Sequence, residues 1–257
     1  MPVLTTLLCL LIFSTSAIAY HPRVLFDQGH GQAFVIEQES DLHLSKLAHT
    51  FVDQGFEVSS TTHPLTADLL DKTDALIISG AFKPFSASEI IQILRFIERG
   101  GRVTIMVHVG RPVITLLNSL GVDIANGVIR EEKQIIDNDP LNFRTSNLRK
   151  HPVTSGIKDF SLYGSWPLRP MTTSGKTLAY TSKLSWVDLT GDKRQTPGDA
   201  VQAFGVLVEN RIAGGELLVF GDDALFQNRF LKGNNQELAI NLVRWLSAGQ
   251  KPVGLEI

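Results

Sequence analysis

Apolar and polar residues along this chain follow two alternating rhythms: short continuous apolar runs, and longer stretches whose apolar positions recur three and four apart. Arg23-Val24-Leu25-Phe26-Asp27 reads as a strand that runs into a glycine-rich loop, Gln28-Gly29-His30-Gly31. Leu44, Leu47, Ala48, Phe51 and Val52 then fall at helical spacing, and Gly55 ends that helix. Glu57 to Thr61 is a weaker strand. The run Ala75-Leu76-Ile77-Ile78-Ser79 stops at Gly80, as expected of a strand buried on both faces.

The same alternation continues. Ser86-Ala87-Ser88-Glu89 predicts a capping box, in which Ser86 and Glu89 satisfy each other's backbone donors. Behind it Ile90, Ile93, Leu94 and Ile97 make an apolar stripe closed by Gly100-Gly101. Val103 to Val109 predicts another buried strand, interrupted only by Thr104 and His108. Pro112 stands where a first helical residue is expected, with Val113 to Leu120 continuing that helix. In the last quarter Glu216 to Phe220 is a strand and Gly221-Asp222-Asp223 a turn. Asn235 caps a final helix with Leu238, Leu242, Trp245 and Leu246 on one face. Strand and helix in alternation imply parallel strands joined by right-handed crossovers. The expected class is therefore α/β: a flavodoxin-like three-layer sandwich with a mostly parallel sheet. Between about residues 127 and 205 the pattern changes to short β-type stretches, glycines and prolines (Pro140, Pro152, Pro167, Pro170), which predicts an irregular or antiparallel insertion. No repeat or low-complexity linker divides residues 20–257, so one domain is expected.

Met1 to Ala19 carries no charged side chain. Its apolar stretch, Leu7 to Phe13, is followed by Ala17-Ile18-Ala19, the A-x-A pattern of a signal-peptidase site. The stretch is shorter than the roughly 20 residues that span a bilayer. Export to the periplasm or the medium is expected, with no membrane span after cleavage. Cys9, the only cysteine, lies inside that leader, so the mature chain has no thiol for disulfide, metal or nucleophile. With 24 basic and 26 acidic residues the net charge is -2, which gives no support to nucleic-acid binding.

Gly214-Gly215-Glu216-Leu217-Leu218-Val219-Phe220-Gly221-Asp222, then Asn228-Arg229-Phe230 and Asn235 through Trp245-Leu246, resemble the closing block of a poorly characterised group. Phe26 to Gly31 and His151-Pro152-Val153-Thr154-Ser155-Gly156-Ile157 resemble it too. That group is similar in fold to class I glutamine amidotransferases and includes extracytoplasmic domains of gliding-motility-type ABC-transporter auxiliary proteins. The resemblance implies binding or scaffolding more than turnover. An amidotransferase places its cysteine nucleophile after the strand that here is Val103 to Val109; this chain has His108-Val109-Gly110-Arg111 there. It has no G-x-S-x-G serine elbow either.

In open α/β sheets ligands sit outside the carboxyl ends of the strands. Those ends offer Asp27, Gln28 and His30, then Gly80 and Phe82, then His108 and Arg111, and finally Asp222 and Asp223. Asp27, Gln28, His30, Phe82, His108, Arg111 and Asp222 are the candidate ligand-binding set, against the alternative that they are turn residues. Asp188-Leu189-Thr190-Gly191-Asp192-Lys193-Arg194-Gln195-Thr196-Pro197-Gly198-Asp199 puts oxygen ligands at the offsets of an EF-hand-like loop. Structural Ca²⁺ on Asp188, Thr190, Asp192 and Asp199 is one expectation; a hydrophilic hairpin, with glycine at position 4 and two cations, is the other. Tyr163, Trp166 and Trp186 are expected to be buried. Two functions remain open: a non-catalytic module that binds a small polar ligand or a protein partner, or a hydrolase with His30 or His108 as general base and Asp27 or Asp222 as its partner.

Overall fold

A run of residues buried on both faces can be accommodated only where helices cover both sides of a sheet, and β-branched and large aliphatic side chains supply four such runs here. In the computed structural model, which describes residues 20–248, three of these become β1 (Arg23–Asp27), β3 (Ala75–Ser79) and β4 (Arg102–Met106), while β2 (Glu57–Thr61) is a largely exposed strand at the sheet edge. The sheet then takes in β5 (Val122–Ile124), β6 (Asn147–Leu148), β7 (Leu168–Pro170), β8 (Lys176–Tyr180), β9 (Gly205–Ile212) and β10 (Gly215–Phe220). Its order is β2-β1-β3-β4-β10-β9-β7-β5, with β8 paired to β9 and β6 to β8. The first four contacts in that order are parallel; β10–β9, β9–β7 and β7–β5 are antiparallel. The expected α/β class with a mostly parallel core and β insertion is what the chain adopts. Two further three-stranded antiparallel sheets complete the insertion.

Two apolar cores lie on opposite faces. On one, α1 (Ser45–Asp53) and α5 (Asn234–Ser247) bury Leu47, Phe51, Leu238 and Leu242. On the other, α2 (Ala67–Leu70), α3 (Ala87–Glu98) and α4 (Gly110–Ser119) cover Leu76, Ile78, Val103 and Ile105. Ser86 and Glu89 form the expected capping box at α3.

Several expectations are corrected. The fourth strand ends at Met106, and α4 begins at Gly110, two residues before Pro112. Val52 points outward at 53% exposure, so the buried stripe of α1 is Leu47, Ala48 and Phe51. Asn235 is not the cap of α5. Gly233 is, and the buried Asn235 amide instead bonds Ser161 and Leu225, tying α5 to the insertion. The eight-residue β9 is hidden in sequence by Glu209, Asn210 and Arg211; Glu209 is buried because His151 donates to it at 3.2 Å. Trp186 is buried, whereas Trp166 and Tyr163 are half-buried. The expected leader, Met1–Ala19, with Cys9, lies outside the described residues, among which no helix is long and apolar enough to cross a membrane.

At Gly215, where β10 begins, backbone approaches backbone. A Cβ there would stand 2.2 Å from the Ile97 carbonyl oxygen and 2.4 Å from that of Gly101. Neither can rotate away as a side chain could. Gly215→Ala should lower unfolding stability by at least about 2 kcal/mol, read as a shift of the urea midpoint at unchanged slope.

Candidate functional site

The order of the parallel strands, 2-1-3-4 followed by the closing strand, reverses direction between β1 and β3, the switch point at which open α/β sheets form a ligand crevice above the strand ends. Asp27 closes β1. The chain then turns so that His30 lies back over it, with Nδ1 at 2.8 and 3.0 Å from the two Asp27 carboxylate oxygens. On the other side His30 Nε2 is 3.1 Å from a Glu89 oxygen, and the ring stacks on Phe85 with centroids 3.7 Å apart. Both ring nitrogens are thus held by carboxylates, and only 5% of the residue is exposed.

The two carboxylates are satisfied by further donors. Gly29 N and Gln32 Nε2 donate to Asp27, while Leu65 N, Ser86 N and the Ser86 hydroxyl donate to Glu89. Burial alone would lower the His30 pKa; bonds and charge from Asp27 and Glu89 outweigh it, and the net shift is upward. Glu89, despite burial, is lowered by the Ser86 and Leu65 donors and by His30. His30 is therefore an imidazolium clamp between β1 and the start of α3, with no nitrogen left for a ligand.

His108 is different. It follows β4, its Nδ1 lies 2.9 Å from Asp223 Oδ1, and its side chain is 36% exposed while that of Asp223 is 2% exposed. No residue among those described partners Nε2, and the ring lies beside those of Phe34 and Phe82, at ring-centroid distances of 5.2 and 5.1 Å. The Asp223 bond is the largest cause of a raised His108 pKa, exceeding the opposing effect of burial. Asp223 Oδ2 is buried without a partner, over Gly80, where a Cβ would come within 2.6 Å of it. Gly80 itself sits at φ +62, so a side chain there would be strained as well as obstructed.

The other candidates separate. Asp222 is fully buried; burial first, and the charge of Asp223 second, push its carboxyl up to about 8, although Tyr163 N and Ala224 N donate to it. It is a backbone anchor, so the expected His108 partner is Asp223 instead. Gln28 bonds Glu37 and Ile36 N and shapes the loop. Phe82 is 42% exposed at the crevice mouth. Arg111 is exposed on the first turn of α4 without a partner among the described residues. Sequence reasoning missed Phe34 and Glu89 as members; Glu89 was legible only as a cap, and Phe34 carried no signal. The 28–44 loop that delivers Phe34 is pinned by the buried Asn228, which bonds Ser40 O, Ser45 Oγ and Lys46 N.

At the distant loop, Asp188, Asp192 and Asp199 bring one carboxylate oxygen each within 4.8 Å of one another. These carboxylates accept from backbone amides of their own turns: Gly191 and Lys193 on Asp188, Arg194 on Asp192, Leu189 and Thr196 on Asp199. Thr190 Oγ1 reaches Asp188 and Asp199 at 3.4 and 3.5 Å.

A family model described as domain of unknown function DUF4350 matches residues 44–243. Among solved structures the chain is similar to the mmIFT52 N-terminal domain, with a TM-score of 0.70 and 16% identity, covering 90% of this chain and 100% of that one. It is also similar to a ThuA-like protein from Bacteroides uniformis (TM-score 0.57, 14% identity, 92% and 96% covered). A third is a cytoplasmic protein from Salmonella typhimurium (TM-score 0.57, 14% identity, 87% and 99% covered). At these identities the likeness is one of fold. No curated protein matches the chain.

Removing the clamp should expose its role. His30→Ala leaves two buried carboxylates without their shared cation and should cost about 3–5 kcal/mol. Because the native pKa is raised, the stabilisation from His30 is complete below its ordinary value near 6.5 and is lost as pH rises through the native value. Urea melts across that range should converge for wild type and His30→Ala at the alkaline end in this component; a parallel offset would remove the charge argument.

Proposed function

The chain belongs to the DUF4350 family, and we propose that it is an exported, non-catalytic domain that binds a small polar ligand in the crevice at the ends of β1, β3 and β4. The observation that carries this reading is the His108–Asp223 pair: a partly exposed imidazole held by a buried carboxylate, with Nε2 unpartnered among the described residues and two aromatic rings beside it. The raised pKa favours the protonated ring, which is a donor and a cation. Phe34 and Phe82 offer apolar faces, so the ligand combines an anionic or acceptor group with a face that can stack. Both members of the pair lie inside the residues matched by the family model, whereas Asp27 and His30 lie before them.

The absence of a cysteine after residue 19 supports binding over the thiol chemistry of amidotransferases, which the closing-block resemblance would otherwise suggest. Export rests on the uncharged leader and its Ala17-Ile18-Ala19 site. The hydrolase reading, in the form that uses His108, requires a nucleophile or an activated water at Nε2. No hydroxyl is hydrogen-bonded to that nitrogen among the described residues.

A thermal-shift screen of sugars, sugar acids and small carboxylates tests the reading. Hits should raise the melting temperature of the wild type and lose at least tenfold in affinity in His108→Ala and Asp223→Asn. For an anionic hit, binding should weaken as pH rises through the raised His108 value, since the cation is then lost. Turnover of a hit that disappears in His108→Ala would replace binding by catalysis.

We also propose a weak structural Ca²⁺ on Asp188, Thr190, Asp192 and Asp199, supported by the convergence of the three carboxylates. Titration should give a Kd on the order of 10⁻⁴–10⁻³ M, as for extracellular modules, abolished in Asp192→Asn. Heat of binding no greater than for that variant would leave the loop as a hydrogen-bonded hairpin.

A further inference from the structure

A second pocket, remote in sequence from the crevice, lies in the β insertion. It encloses about 240 Å³ and is lined by Lys133, Arg144 and Lys183, together with Ser146, Asn147 and Tyr180. In a chain of net charge -2 this is a local inversion. None of the three cations is in an ion pair or side-chain hydrogen bond among the described residues.

The only carboxylate in the lining is Glu131, and it is not available as their counter-ion. Glu131 is 1% exposed, and its oxygens accept from Glu132 N, Lys133 N, Ser182 N, Ser182 Oγ and Ser185 Oγ. Those donors, led by Ser182, outweigh burial and hold its pKa down, so it stays a buried anion. Its effect is mechanical. It ties the start of the 131–134 turn to the 182–185 turn and so fixes the backbones that carry Lys133 and Lys183 on facing rims. Arg144 comes from the strand Asp139–Thr145, where its own amide donates to Gln134 O at 3.0 Å. The rim is therefore built, with Gln134 held at φ 55 by a further bond from its side chain to Ser146 Oγ.

We propose that this pocket binds a phosphate or sulfate ester of a sugar. Three unpaired cations around one opening match a tetrahedral oxyanion, which can accept from several donors at once. The remaining lining, hydroxyl and amide groups of Ser146, Asn147 and Thr181, suits a polyhydroxylated carrier. The volume holds a hexose-sized ligand and falls below the roughly 300–1,000 Å³ of sites for drug-sized molecules. The site shares no residue with the His108 crevice, so it stands or falls independently of the function proposed there.

Isothermal titration of the protein with glucose 6-phosphate, glucose, inorganic phosphate and a 6-sulfated oligosaccharide tests this. Glucose 6-phosphate or the sulfated oligosaccharide should bind saturably, and glucose should not. Raising NaCl from about 50 to 300 mM should weaken binding severalfold, because exposed charges are screened. The double variant Arg144→Ala/Lys183→Ala should bind at least tenfold more weakly, with His108→Ala unchanged. Tighter binding of the oligosaccharide assigns the ester to a glycan chain, and tighter binding of glucose 6-phosphate assigns it to a free sugar. Absence of saturable binding by both esters, binding insensitive to salt, or inorganic phosphate binding as well as either ester would overturn the proposal. The salt dependence is measured on the wild type, so the outcome does not depend on the variant folding.

Discussion

The crevice depends on one buried ion triad. A parallel sheet of this order leaves a gap above the ends of β1 and β3, where the crossover helices run to opposite faces, and something must hold its walls at a fixed distance. Here it is an imidazolium between Asp27, at the end of β1, and Glu89, in the first turn of α3. Burying three ionisable groups is costly unless each remaining lone pair meets a donor. The Gly29, Leu65 and Ser86 amides, the Ser86 hydroxyl and the Gln32 side chain supply those donors. Glu89 thus does two jobs with two oxygens: one closes the capping box, the other completes the triad. The helix start and the crevice wall are a single structure.

From that anchor the rest of the crevice follows. Phe82 N and Lys83 N both donate to the carbonyl of His30, so the segment after β3 hangs from the clamped residue. The loop that delivers Phe34 is anchored at its near end by Gln28, through Glu37 and Ile36, and at its far end by Asn228. Asn228 belongs to the closing block, so the last part of the chain fixes the first loop. His108, coming from β4, then meets Phe34 on one side and Phe82 on the other without any bond that consumes its Nε2.

The parallel core was legible in sequence because strands buried on both faces are written as unbroken apolar runs, and because Ser86 and Glu89 mark a helix start whatever surrounds them. Strand β9 was not, since its second half carries Glu209, Asn210 and Arg211. Their partners, His151 and Thr172 among them, lie far away in sequence. The site was half legible. Strand-end position picked out Asp27, His30, Phe82, His108 and both aspartates after β10. It could not distinguish the two histidines, whose roles differ by whether Nε2 is occupied. It also named Asp222 where the structure pairs Asp223 with His108. Adjacent residues in a turn point to different sides, so one carboxyl receives the backbone amides of Tyr163 and Ala224 and the other receives His108.

That division between neighbouring aspartates explains how one strand end supports both an anchor and an open group. Asp222 is stabilised in its buried place by amides and by a pKa high enough to keep it largely protonated at neutral pH, which relieves repulsion from Asp223. Asp223 is then left to orient His108 through its Oδ1. One of its oxygens is nonetheless left without a donor, at a cost of about 1–3 kcal/mol, and only a residue without a side chain at position 80 lets that oxygen lie so close to the backbone.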